Sequence, residues 1–135
     1  MSASALDQLT RLLLPFDYDA GATIIAAGAR DDDRVFLIRD GEVSVVLPLA
    51  DGSHQRIATL SSGMTFGEMA MINQAPRSAY VHADGAVHGW TFSARSLDRL
   101  AVEFPDIKIA VLQNLALDLA QKLRQANQLV GALAA

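Results

Sequence analysis

Two charged residues nine positions apart, Glu68 and Arg77, stand in a stretch that is otherwise small, apolar or turn-forming: Phe66-Gly67-Glu68-Met69-Ala70-Met71-Ile72-Asn73-Gln74-Ala75-Pro76-Arg77-Ser78-Ala79. A guanidinium is a rigid fork of donors that meets phosphate oxygens two at a time. A carboxylate only accepts hydrogen bonds, so beside an anion it suits a sugar hydroxyl. Gly67 lets backbone approach a bound group closely. Met69 to Ile72 can form about one helical turn, whose leading N–H groups lack partners and attract negative charge. A donor for an anion and an acceptor for hydroxyls within one loop are what a ribose phosphate requires. The competing reading is a turn in which Glu68 and Arg77 form a surface ion pair.

Other chemistries find less support. A metal centre needs three or four converging ligands. His54, His82 and His88 are all more than five positions apart, and although His82 and His88 flank a turn across which they could face each other, no third ligand is evident. Strand histidines facing solvent are expected. Asp31-Asp32-Asp33 lacks the alternating oxygen ligands and terminal Glu of a calcium loop and reads as a solvated turn. There is no Cys, and no Ser sits in a Gly-x-Ser-x-Gly setting. Trp90, in an alternating strand, is expected in the core.

At 135 residues and 51% apolar composition the chain fits one domain with a real core. Eleven scattered Lys and Arg and a net charge of −4 give nucleic acid little to bind. No apolar run is long enough for a membrane span, and the N-terminus lacks the basic start and apolar block of a signal peptide. With no cysteine, a cytoplasmic setting is expected.

The elements that must hold the stretch are short strands. A helix is predicted over 5–14, capped by Ser4 and ended by Pro15. Strands follow at 16–19, 23–25, 35–38, 42–49, 55–60, 65–66, 78–83 and 87–92. Turns at Gly21, Gly28, Gly41, Asp51-Gly52, Gly63 and Asp84-Gly85 separate them. That spacing predicts an antiparallel β-barrel or jelly roll over about 15–93. Ser93 caps a hinge helix over 94–104, and after Phe104-Pro105-Asp106 a long C-terminal helix runs from about Ile107 past Val130. Residues 1–135 thus read as one domain, the long helix taking 105–133.

The 66–79 stretch resembles the phosphate-binding cassette of cyclic nucleotide-binding domains, whose pattern runs Phe-Gly-Glu, a short apolar helix, then Pro-Arg, a small or hydroxyl residue, and Ala. The β-barrel, hinge and long helix follow the family's order, and Gly21, Gly28, Gly41, Gly63 and Gly67 fall where it turns. One departure is Ala29, where many members have Asp or Glu. The resemblance implies a sensor without chemistry of its own that takes cAMP, with cGMP as the alternative. Arg77 would hold the cyclic phosphate and Glu68 the ribose 2′-OH. Backbone N–H groups around Phe66, Gly67, Met69 and Ala79 would complete the cradle, and Ser78 would add a hydroxyl. Val45, Leu47, Ile57 and Met64 are candidates for the pocket wall. The long helix would be a lid, reaching the ligand through Leu123, Ala126 and Asn127, with Gln125 or Asn127 standing in for the hydroxyl residues of cAMP-sensing activators. The chain leaves no room for a helix-turn-helix domain. It reads as a free-standing sensor or as the regulatory part of a larger protein, such as some channels, transporters and bacterial glutaminases. A degenerate dimerisation module and a cupin-like metalloenzyme are the alternatives.

The long helix carries a further pattern. Ile109, Leu112, Ala116, Leu119, Leu123, Ala126, Val130 and Leu133 recur at steps of 3 and 4, widened by Leu115 and Leu129. That is a heptad seam, and it predicts a homodimer through Ile109–Leu133.

Overall fold

The structure is a computed structural model that describes residues 3–73 and 75–134. Helix α1 (Ala3–Leu12) leads into eight strands: β1 (Leu14–Tyr18), β2 (Thr23–Ile25), β3 (Arg34–Asp40), β4 (Val43–Pro48), β5 (His54–Leu60), β6 (Thr65–Phe66), β7 (Tyr80–Ala83) and β8 (Val87–Ser93). A single 3-10 turn, Glu68–Met71, separates β6 from β7. Helices α2 (Ala94–Glu103) and α3 (Pro105–Ala134) close the chain. The strands form two antiparallel four-stranded sheets, ordered β1-β8-β3-β6 and β2-β7-β4-β5, the jelly-roll-like arrangement of the predicted fold class.

Between the sheets lies the main core. Alternation along the strands sends Phe16, Ile24, Phe36, Ile38, Val43, Leu60, Phe66, Val81 and Val87 inward. Phe36 and Phe66 stack at 4.6 Å, and Phe16 meets Phe36 edge-on at 5.3 Å. Each such ring contributes about 1.5–3 kcal/mol by leaving water. Phe66 thereby anchors the loop that follows it.

A second, smaller core is helical. Ala5, Leu97 and Ile107 are buried, and Leu9, Leu12, Leu100, Phe104 and Val111 pack around them. Met71, from the 3-10 turn, is part of this cluster, so the loop is tied to the helices as well as to the barrel.

Several expectations need correcting. α1 starts at Ala3, so Ser4 lies within its first turn and does not cap it. It stops at Leu12, because a residue before proline is pushed out of the helical region, and Leu14-Pro15 instead open β1. β1 is an edge strand, where a missing N–H is tolerated. Trp90 points outward, opposite Leu37, and is 37% exposed. Asp32 and Asp33 do not form a solvated turn. Asp33 accepts from the Ser93 hydroxyl at 2.6 Å and the Arg95 N–H at 3.1 Å, capping α2 from another part of the chain. Ser93 itself accepts from the Ser96 N–H, as a cap should.

Candidate functional site

The loop after β6 begins with Gly67 in the left-handed region, at φ 80°. A Cβ there would lie 2.6 Å from the Arg34 carbonyl oxygen, so the position takes glycine for both conformation and space. That tight approach makes two carbonyls, those of Gly67 and Arg34, available to one side chain, and Arg77 uses both. Its Nη1 donates to Gly67 O at 2.9 Å, and its Nη2 donates to Arg34 O at 2.7 Å and to Asp32 Oδ1 at 3.3 Å. The backbone of Arg77 is fixed as well: its N–H donates to Ala29 O, and its carbonyl accepts from Gly28 N–H. The departure at Ala29 therefore involves only backbone.

The result is a guanidinium whose side chain is 8% exposed. Its Nε is buried and finds no partner among the described residues. Asp32 also takes both Nε and Nη2 of Arg34 at 2.8 Å. The Arg34 hydrogen bond, helped by the charges of both arginines and opposed by burial, holds the Asp32 carboxyl below its ordinary 3.8, at about 2. At Asp33 burial pushes upward, but the Ser93 hydroxyl and the Arg95 N–H together hold its carboxyl down.

Arg77 and Glu68 line one cavity of about 350 Å³. Its apolar side comes from Ile25, Val45, Ile57, Ala58, Phe66 and Val81, its loop side from Gly67, Met69, Ser78 and Ala79, and its α3 side from Lys122 and Ala126. All seven residues expected around the ligand, 66–69 and 77–79, are therefore at this cavity. Glu68 and Arg77 do not pair with each other. Glu68, whose side chain is 6% exposed, accepts from Lys122 Nζ at 2.5 Å, and its Oε2 is buried without a partner among the described residues.

Other site expectations change. Met64 belongs to the inter-sheet core and Leu47 does not line the cavity, whereas Val45 and Ile57 do. Of the three lid residues only Ala126 reaches the cavity. Leu123 is 62% exposed, Asn127 is exposed, and Gln125 instead accepts from Thr59 N–H at 3.4 Å. The helix contacts the cavity a turn earlier than expected, through Lys122. A signal was present in the sequence: Asp118, Lys122 and Ala126 recur every four positions, and an aspartate and a lysine sharing one face of a largely apolar helix can be drawn inward as a pair. His82 and His88 do not face each other. The His82 ring lies within hydrogen-bonding distance of the Thr23 hydroxyl, and His88 faces Asp17. No group of three or more His, Cys, Asp or Glu side chains gathers for a metal ion among the described residues.

Residues 15–103 match the family described as "Cyclic nucleotide-binding domain", and the chain belongs to it. The match ends with α2, leaving α3 outside it.

The chain is 38% identical over 133 residues to "Glutaminase 1" of Bradyrhizobium diazoefficiens, covering 98% of this chain and 21% of the relative. It is 27% identical over 124 residues to the "CRP-like cAMP-activated global transcriptional regulator" of Mycobacterium tuberculosis, covering 92% of this chain and 53% of that protein. A solved cyclic nucleotide-binding domain from Methylobacillus flagellatus superposes with a TM-score of 0.84 at 26% identity, covering 95% of this chain and 71% of that one. The chain thus spans about a fifth of the glutaminase and about half of the regulator.

Proposed function

We propose that this domain binds a cyclic nucleotide in the 350 Å³ cavity and acts as a regulatory unit without chemistry of its own. The observation that carries the reading is Arg77: a buried guanidinium at the edge of an apolar cavity, whose Nε finds no partner among the described residues. An unpaired buried donor costs about 1–3 kcal/mol, which an incoming anion can recover. Glu68 takes the ribose 2′-OH. Ser78 and Ala79 line the same wall, and the base lies against Val45, Ile57 and Ala126.

cAMP is the favoured ligand. Ser follows the arginine, as in some cAMP-binding relatives, and a relative of this chain is named for activation by cAMP. Competition calorimetry with cAMP and cGMP tests this. The expected result is tighter binding of cAMP, and a tenfold preference for cGMP would reverse the assignment.

The domain's likeness to part of a glutaminase supports a role as the sensing segment of a longer cytoplasmic protein that it controls. Among the described residues no helix is long and apolar enough to cross a membrane. The effector's activity would then belong to the rest of that protein. The exposed apolar residues of α3 support a homodimer.

A further inference from the structure

Glu68, the acceptor assigned to the ribose, is already in use. Lys122 of α3 donates to its Oε1 at 2.5 Å. The other oxygen, Oε2, is buried and has no partner among the described residues, so Oε1 is the oxygen in contact with another group and Lys122 holds it. Lys122 is itself held, with Asp118 Oδ2 at 3.3 Å one turn back along the helix. The same Asp118 oxygen accepts from the Thr65 N–H at 3.2 Å and from the Thr65 hydroxyl. Thr65 and Glu68 flank Phe66-Gly67. The helix therefore grips the loop on both sides through one continuous chain: Thr65, Asp118, Lys122, Glu68.

We propose that Lys122 is a specificity-determining latch, which a ligand's 2′-hydroxyl must displace from Glu68 in order to bind. The inference deepens the cyclic nucleotide reading and rests on it. Its physical basis is competition for one carboxylate. A hydroxyl donating to Glu68 must either crowd against the ammonium for Oε1, which Lys122 already holds, or reach the buried Oε2 by a rotation of the carboxylate that breaks the lysine contact. The lysine contact is charge-assisted and largely shielded from water, so displacing it opposes binding of any ligand that uses Glu68. A ligand without the 2′-hydroxyl makes no such demand and leaves the latch closed. The latch thus links recognition of one sugar oxygen to release of one contact on α3.

The test is calorimetric titration of cAMP and 2′-deoxy-cAMP into the parent chain, Lys122→Met and Lys122→Arg, with thermal melts to establish that each is folded. Lys122→Met should tighten cAMP by about tenfold, the size of one charge-assisted bond, and leave 2′-deoxy-cAMP within about twofold. Lys122→Arg keeps the charge and can fork onto both Glu68 oxygens, so cAMP should weaken while the deoxy ligand again stays constant. A purely structural lysine would move both ligands together. An unchanged or narrowed ratio of deoxy to ribo affinity in Lys122→Met overturns the latch. Amide exchange over 118–128, measured without nucleotide, separates the two readings: it should quicken in Lys122→Met, and unchanged exchange overturns the latch by itself. If the parent binds neither nucleotide at millimolar concentration, the cyclic nucleotide reading fails and the displacement fails with it, whatever the exchange shows.

Discussion

Asp32 lines the cavity and orients the arginines around it. It accepts two hydrogen bonds from the Arg34 guanidinium, one from the Arg34 backbone N–H and one from Arg77, so one carboxylate fixes the direction of the guanidinium that faces the cavity. Its carboxyl sits at about 2 in the folded chain against an ordinary 3.8. A folded value below the unfolded one means that the contribution to stability is complete above about pH 4 and is lost as pH falls through about 2. Asp32→Asn should therefore flatten the dependence of stability on pH in that acid window, read by denaturant unfolding at a series of pH values. An equally steep dependence in the variant would assign the effect to other carboxylates. The sequence exposed Glu68 and Arg77 because their types and spacing carry the chemistry directly. It concealed Asp32, Asp33 and Lys122, whose partners lie up to 62 positions away, where charge runs and helix stripes look the same whether solvated or buried.

Among the elements, α2 shows how the loop and the helices are joined. Its N-terminus is capped by its own Ser93 and, across the fold, by Asp33, the neighbour of Asp32. Such a cap is worth about 1 kcal/mol, with the helix dipole adding to it for a negative charge. Asp33→Ala should cost about 1–2 kcal/mol in chemical denaturation with the slope unchanged. A cost below about 0.3 kcal/mol would make the contact incidental. The strands were legible at this scale because short alternating runs between glycine turns have few other solutions, and β2 and β6 fall on their expected residues. Helix ends were less so. Leu14 satisfied the apolar period of α1, but Pro15 overrode it. Trp90 satisfied the alternation of β8 but faces outward, since alternation alone does not say which face is the core.

At the scale of the molecule, α3 is the feature that one copy of the chain leaves unfinished. Its 30 residues span about 45 Å. Leu115 turns inward, while Ile109, Leu112 and Leu123 are exposed along one side, with Ala116 between them. The side chains of Leu129, Val130 and Leu133, the distal part of the expected seam, lie outside the described residues. An apolar face of that kind is covered well by a second helix of the same sequence. The parent should therefore be a dimer by light scattering at micromolar concentration, and an Ile109→Asp, Leu123→Asp double variant a folded monomer. A dimeric variant would place the interface elsewhere, and a monomeric parent would remove it. The proposed function requires that the cavity take a cyclic phosphate through Arg77. The most direct measurement is calorimetric titration of cAMP into the parent chain and into Arg77→Ala. Loss of a charge-assisted contact worth about 1.5–3 kcal/mol should weaken binding at least tenfold, with partial recovery in Arg77→Lys. Binding of cAMP by Arg77→Ala as tight as by the parent would contradict the account.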